Sequence, residues 1–229
     1  MQLFFEPEAT SDQFVLNIAE ARHCLKILRK RKGDTVHIVD GRGTFYQCII
    51  QIDDAKNCQL KVVKTTDKKS FSPKRHIAIS PTKNMDRIEW FVEKAVEIGI
   101  DSITFILCHN SERRTLKLDR IEKKAVSAMK QSGKALLPEI HKLIDFDKHI
   151  TNVDEACKFI AYVDKTNENH LKNLVDHKQS TVILIGPEGD FSKKEIESAL
   201  SCGFQAISLG DNRLRTETAG VVACTFLNA

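Results

Sequence analysis

No apolar stretch of this 229-residue chain approaches the roughly 20 residues needed to span a bilayer. Its first residues, Met1-Gln2-Leu3-Phe4-Phe5-Glu6, lack the basic segment followed by an apolar one that marks a secretory leader. A soluble, cytoplasmic protein is therefore expected. No C-x-x-C pair occurs, and the cysteines, at positions 24, 48, 58, 108, 157, 202 and 224, are odd in number. They predict buried or idle thiols, not a disulfide framework or a zinc site. The eight histidines show no ligand spacing, so no metal is expected. Internal repeats and low-complexity segments are missing too, as are a Walker A loop and a G-x-G-x-x-G dinucleotide loop.

Hydrophobic residues make up 41% of the chain, enough for an ordinary core, which argues against disorder. The net charge is only +4, but the basic residues cluster. Arg29-Lys30-Arg31-Lys32 is an unbroken run, Lys68, Lys69, Lys74 and Arg75 flank Pro73, and Arg113, Arg114, Lys117, Arg120, Lys123 and Lys124 form a third group. Such patches neutralise phosphates in some proteins and are plain solvated faces in others; composition alone leaves both open.

The first 70 or so residues favour strands. Phe14–Ile18 alternates, Thr35–Val39 leads into the turn signal Asp40-Gly41-Arg42-Gly43, Thr44–Ile52 runs back, and Gln59–Val63 adds another strand. One helix, about Glu20–Arg29, interrupts them with Cys24, Leu25 and Leu28 on one face. Short strands with one helix suggest a small β-barrel over residues 1–70. Lys68–Pro73 reads as a linker. From residue 76 the pattern becomes strand, helix, strand, helix, within a domain of about residues 74–229. Apolar runs at His76–Ser80, Ser102–Cys108, Phe159–Asp164, Thr181–Gly186 and Ala206–Gly210 alternate with helical patterns at Asp86–Ile98 and Asp119–Gln131. A further helix opens at Ser192, with Glu195 completing a capping box and Gly203 closing it. This alternation predicts an α/β domain with a mostly parallel sheet, whose ligands bind outside the carboxyl ends of the strands.

Two loops stand where chemistry is sought. Ile185-Gly186-Pro187-Glu188-Gly189-Asp190-Phe191 follows an apolar strand, and its glycines permit turns and close approach of a ligand to the main chain. Taken alone, the Gly-Pro-Glu-Gly turn is better accounted for as an ordinary β–α turn. Leu209-Gly210-Asp211-Asn212-Arg213-Leu214-Arg215-Thr216-Glu217-Thr218-Ala219 follows the last strand. Thr216 as a helix cap and Glu217 as a partner of the helix dipole explain part of it. They leave Arg213 and Arg215 unexplained.

Taken in order, these stretches resemble the bacterial methyltransferases that modify ring nitrogen 3 of a uridine in 16S ribosomal RNA, members of the SPOUT superfamily. The blocks are His23, Leu28-Arg29, Gly33-Asp34 and Asp40-Gly41; then Glu93–Ile100, Ser111-Glu112-Arg113, Gln131-Ser132 and Pro138-Glu139-Ile140. Gly186-Pro187-Glu188-Gly189 and Leu214–Ala219 are the most specific. Departures fall at Asp190, where the family usually has glycine, at Asn212 and Arg213, where it has arginine then isoleucine, and at Lys130 and Lys134.

The resemblance implies a PUA-like β-barrel that docks RNA, a trefoil-knotted α/β domain, S-adenosylmethionine as cofactor, and a homodimer acting on 16S rRNA, within the small ribosomal subunit. It implies that the cofactor meets Val163, Ile185, Gly186, Pro187, Glu188, Gly189, Leu209, Gly210, Leu214, Thr216 and Ala219. RNA would meet His23, Arg29, Lys30, Arg31 and Arg113. Arg215 is the candidate to stabilise charge developing on the uracil, with Glu217 as proton acceptor or as a group orienting an arginine. Two other readings stand beside it: a related enzyme acting at another RNA position, and a non-catalytic RNA-binding homologue.

Overall fold

The computed structural model describes residues 2–67, 73–163 and 169–229. These residues divide into two units, one drawn from Met1–Phe71 with Val126–Leu137, the other from Ser72–Ala125 with Pro138–Ala229. The expected linker lies outside the described residues except for Pro73.

In the first unit the alternating segments become β1 (Leu3–Phe5), β2 (Gln13–Leu16), β3 (Thr35–Val39), β4 (Thr44–Asp54) and β5 (Asn57–Asp67). They form one sheet in the order β1-β3-β4-β5-β2, parallel between β1 and β3 and otherwise antiparallel. Period-two burial follows from the pleat: Phe14 and Leu16 are buried while Gln13 and Val15 face water. Val36, Ile38, Cys48, Ile50, Cys58 and Leu60 join Phe14 and Leu16 in one apolar cluster. The turn between β3 and β4 needs its glycines, because Gly41 (φ 78°) and Gly43 (φ 107°) both adopt left-handed backbone. The buried Asp40 closes that turn by accepting from the amides of Arg42 (2.8 Å) and Thr44 (3.0 Å).

The helix expected over Glu20–Arg29 is shorter and irregular. α1 covers Ile18–Arg22, capped by Asn17, and continues as a π-helical turn over His23–Ile27. The wider turn carries the Leu28 amide back to His23 O (3.0 Å) and rotates Leu28 outward. Cys24 and Leu25 are buried as expected, but Leu28 is exposed. Arg29 then leaves the helix at φ 56°.

In the second unit the apolar runs become β6 (Arg75–Ile79), β7 (Ser102–Leu107), β8 (Glu139–Asp145), β9 (Cys157–Ala161), β10 (Thr181–Ile185) and β11 (Gln205–Ile207). All pairings are parallel, in the order β11-β9-β10-β6-β7-β8. Between them run α2 (Met85–Ile98), α4 (Phe146–Thr151), α5 (Lys193–Ser201) and α6 (Thr216–Asn228), and α3 spans Leu118–Gln131. Strands buried on both faces read as continuous apolar runs, as β10 does. Ala78, Ile106, Ile160, Val182 and Leu184 gather on one side with Phe146, Phe191 and Ala199. The alternate residues Ile77, Ile79, Ile103 and Ile183 are equally buried, and α6 contacts β6, β10 and α2. β8 shows no continuous apolar run in the sequence because it lies at the sheet's edge and is half-exposed, so its apolar residues are interrupted by charges. The capping box Ser192–Glu195 forms as expected, and Glu195 also accepts the His109 amide (2.7 Å).

Five of the cysteine side chains are buried. Burial pushes the thiols of Cys48 and Cys224 up to about 12, and those of Cys24 and Cys58 to about 11, so they stay protonated. Among the described residues no group of His, Cys, Asp and Glu is arranged to hold a metal ion, and no helix is long and apolar enough to cross a membrane.

Candidate functional site

β11, β9 and β10 lie side by side, and their carboxyl ends open into one cavity of about 620 Å³. Its walls come from Ala161–Val163 after β9, from Ile185–Glu188 with Asp190 after β10, and from Ile207–Thr216 after β11. Ala219 and Arg87 complete it from the first turns of α6 and α2. Its volume falls in the range of small-molecule sites. Ile185, Ile207, Leu214 and Ala219 are apolar, while main-chain groups of the two glycine-bearing loops add polarity without charge.

Every residue expected at the cofactor lines this cavity except Gly189. Neither Gly186 nor Gly189 uses the left-handed backbone that glycine alone adopts freely. They are small for the protein's own packing. A Cβ on Gly186 would stand 3.1 Å from the Phe191 ring, and one on Gly189 would stand 3.1 Å from Asn110 Cβ. The left-handed residue of this loop is Asp190, at φ 62°.

Several side chains fix the cavity walls. Thr216 was expected to cap α6, but Arg215 holds the cap position without a side-chain bond. The buried Thr216 hydroxyl instead donates to Gly186 O (3.0 Å), tying the two loops together. Glu188 Oε1 accepts the Lys83 amide (3.0 Å), and Glu188 O accepts from Arg213 (3.2 Å). Arg213 therefore braces the Gly-Pro-Glu-Gly loop. The second oxygen of Glu188 is buried without a hydrogen-bond partner, in a residue that faces the cavity.

Arg215 is exposed and lines the cavity, with no side-chain hydrogen bond or ion pair among the described residues. Glu217 is buried and does not line it. Its Oε1 lies 3.8 Å from Arg87 Nε, and its Oε2 has no hydrogen-bond partner. Arg87 carries no motif of its own in the sequence. The available signal was its place in the first helical turn after the carboxyl end of β6, where the same rule that singled out the other loops applies.

Of the expected RNA contacts, Arg113 alone belongs to the unit that holds this cavity, and it does not line it. Arg113 lies in the second unit, where its guanidinium donates to Thr82 O (3.0 Å) and Lys83 O (2.5 Å) and so holds the loop before α2. His23, Arg29, Lys30 and Arg31 belong to the first unit. His23 packs edge-on against Phe4 at 5.9 Å, and Arg31 donates to Leu25 O (3.3 Å) and Lys30 O (3.2 Å), closing the end of the π-helical turn. Lys130 is taken up by Glu20. Arg29 is exposed.

A parallel sheet flanked by helices, with a loop-walled cavity outside adjacent carboxyl ends, defines an α/β protein built to hold a small organic ligand at that edge. The chain belongs to the RNA methyltransferase family: that family's domain matches residues 69–228, and the RNA methyltransferase PUA domain matches residues 16–63. The ribosomal RNA small subunit methyltransferase E of Mesomycoplasma hyopneumoniae is 28% identical over 98% of both chains. A solved probable rRNA-methyltransferase from Porphyromonas gingivalis is 43% identical, with a TM-score of 0.91, covering 100% of this chain and 98% of that one. The ribosomal RNA small subunit methyltransferase E of Neisseria gonorrhoeae, solved bound to S-adenosylmethionine, is 26% identical with a TM-score of 0.86, covering 98% and 95%.

Proposed function

We propose that this chain transfers the methyl group of S-adenosylmethionine to ring nitrogen 3 of a uridine in 16S ribosomal RNA. The observation that carries this is the cavity walled by Ile185–Glu188 and Leu209–Thr216 in a chain of the RNA methyltransferase family. Two relatives similar over nearly the whole chain, from Mesomycoplasma and Neisseria, are named as small subunit rRNA methyltransferases. The residues fit the cofactor. Apolar Ile185, Ile207, Leu214 and Ala219 suit an adenine ring, and main-chain groups at Gly186, Leu209 and Gly210 suit its polar edges. The unpartnered Glu188 oxygen offers an acceptor for a hydroxyl or ammonium donor. Bound there, the cofactor supplies a methyl group already activated by its sulfonium.

The chain's own residues have the harder task. The uracil N–H is mostly protonated at neutral pH, and its proton passes to solvent water at the exposed rim of the cavity around methyl transfer, leaving negative charge spread onto the ring oxygens until the methyl group arrives. Arg215, exposed at the cavity and unpaired among the described residues, is the donor for that charge. Glu217 is buried against Arg87, so we assign it to hold that arginine in the cavity wall and not to take the proton. Asn212 and Arg213 differ from the family pattern; with Arg213 committed to Glu188 O and Arg87 beside Glu217, Arg215 is the cavity's guanidinium without a partner among the described residues, available to the uracil.

The first unit docks RNA as a PUA-like barrel, using His23, Arg29, Lys30 and Arg31, and so spends phosphate binding on orientation. The second carries the SPOUT trefoil knot. The protein works in the cytoplasm as a homodimer. The half-buried Val221, Val222 and Phe226 on α6 and the 43%-exposed Trp90 on α2 supply apolar surface for it. Incubating the protein and S-adenosylmethionine with small subunits whose 16S rRNA lacks the modification, then analysing nucleosides by mass spectrometry, tests the assignment. 3-Methyluridine is expected. A methyl group on another atom would overturn the position, and no transfer would make the chain a binding protein.

A further inference from the structure

We propose that Asp190 is the positioning residue that sets the breadth of the cavity, strapping the loop after β10 to the loop after β9. This rests on the cavity being the S-adenosylmethionine site. The ladder joining β9 to β10 ends at the pair Ala161 and Ile185, and both segments line the cavity beyond it. Two residues past Ala161, the Val163 amide donates to Asp190 Oδ2 at 3.2 Å. That bond carries the connection between the two strands across the mouth that the ladder leaves open.

The other end of the strap is anchored. Asp190 Oδ1 accepts the Phe191 amide at 2.8 Å, and Phe191 is buried against Phe146 in the core. The Asp190 amide donates to Pro187 O (2.9 Å), and Asn110 Nδ2 donates to Gly189 O (3.2 Å) and Asp190 O (3.0 Å). One carboxylate thus joins a fixed core element to Val163, an exposed residue that lines the cavity.

The backbone shows that this strap works against a local cost. Asp190 sits at φ 62°, in the left-handed region that side chains disfavour and glycine adopts freely. A turn that needed only its shape would be better served by glycine. The carboxylate is what glycine lacks, and its two bonds reach both sides of the cavity mouth.

The test uses the full chain with Asp190→Gly and Asp190→Asn, reading three quantities. The first is amide hydrogen exchange at Val163 without ligand, the second the unfolding midpoint, and the third S-adenosylmethionine affinity by calorimetry. Asp190→Gly is expected to speed exchange at Val163 and to hold or raise the midpoint. It should weaken cofactor binding about tenfold, the worth of a hydrogen bond to a charged acceptor. Asparagine tolerates the left-handed backbone and keeps one acceptor, so it should fall between. Unchanged Val163 exchange, or unchanged affinity in Asp190→Gly, would overturn the proposal. So would a loss of affinity only in step with a fall in the midpoint. Failure of the unaltered protein to bind the cofactor would instead strike at the site assignment, while Val163 exchange would still decide whether the strap exists.

Discussion

Replacing Gly220 by alanine sets two effects of opposite sign against each other. Gly220 lies inside α6, where alanine is ordinarily better than glycine by about 1 kcal/mol through helix propensity. A Cβ there, however, would stand 2.6 Å from Phe91 Cε2, 2.7 Å from Phe91 Cδ2 and 3.0 Å from Ile79 Cδ1. Carbon atoms pack comfortably at about 3.5–4.0 Å, so the ring would have to retreat by about 1 Å. Phe91 and Ile79 are both fully buried, in α2 and β6, and leave no open side to retreat into. Overpacking of this kind costs about 1–3 kcal/mol, and two crowded neighbours place it in the upper half of that range. The clash therefore outweighs propensity, and Gly220→Ala should destabilise by about 1–2 kcal/mol. Urea unfolding of the full chain measures this. Phe91→Leu should relieve the clash, so the double variant should be more stable than the sum of the two single losses by more than about 0.5 kcal/mol. A Gly220→Ala protein as stable as the original would refute the packing account of α6 on α2.

Four further outcomes are expected. Arg215→Ala should lower the single-turnover methyl-transfer rate by roughly 10²–10³ while leaving cofactor affinity nearly unchanged, because its interaction belongs to the transition state; joint loss of rate and affinity would make Arg215 structural. Gly189→Val should weaken cofactor binding by displacing Asn110 from Gly189 O and Asp190 O, and equal affinities by calorimetry would separate this loop from the site. Arg29→Glu should weaken RNA binding and flatten its salt dependence, with unfolding unchanged because the side chain is exposed; Arg31→Glu should do so with a loss of stability, since Arg31 also holds Leu25 O. Burial, reinforced by the neighbouring His76, pushes His149 down to about 4 from its ordinary 6.5. The unfolded chain then takes up a proton that the folded one refuses, so this stability is complete above about pH 6.5 and drains away as pH falls towards 4. The loss is roughly 3 kcal/mol at most, and His149→Phe should flatten that part of the stability-against-pH curve.

The alternation of β2, β3 and β4, the apolar runs of β6, β7 and β10, and the capping box at Ser192 were all legible in the chain. Each is a local consequence of side-chain period or of a cap three residues from its partner. The same holds for the two loops around Gly186 and Gly210, since a loop after a parallel strand points to the ligand edge wherever the strand lies in the sheet. Position within the sheet was not legible. The order β11-β9-β10, which brings Val163, Gly186 and Leu209 to one cavity, pairs strands far apart in sequence. Nor could the chain show what each loop residue touches. Gly186 and Gly189 looked like residues freed for the backbone, but they make room for Phe191 and Asn110, and the left-handed conformation falls on Asp190. The chain left Glu217 open between accepting a proton and orienting an arginine, and it could not show that the arginine beside it is Arg87, on a helix 130 residues earlier in the numbering (217 − 87). Periodicity and capping act over a few neighbouring residues, so the sequence determines the elements and the edge where a ligand belongs. Which side chains meet there depends on packing between distant segments, and that only the tertiary structure decides.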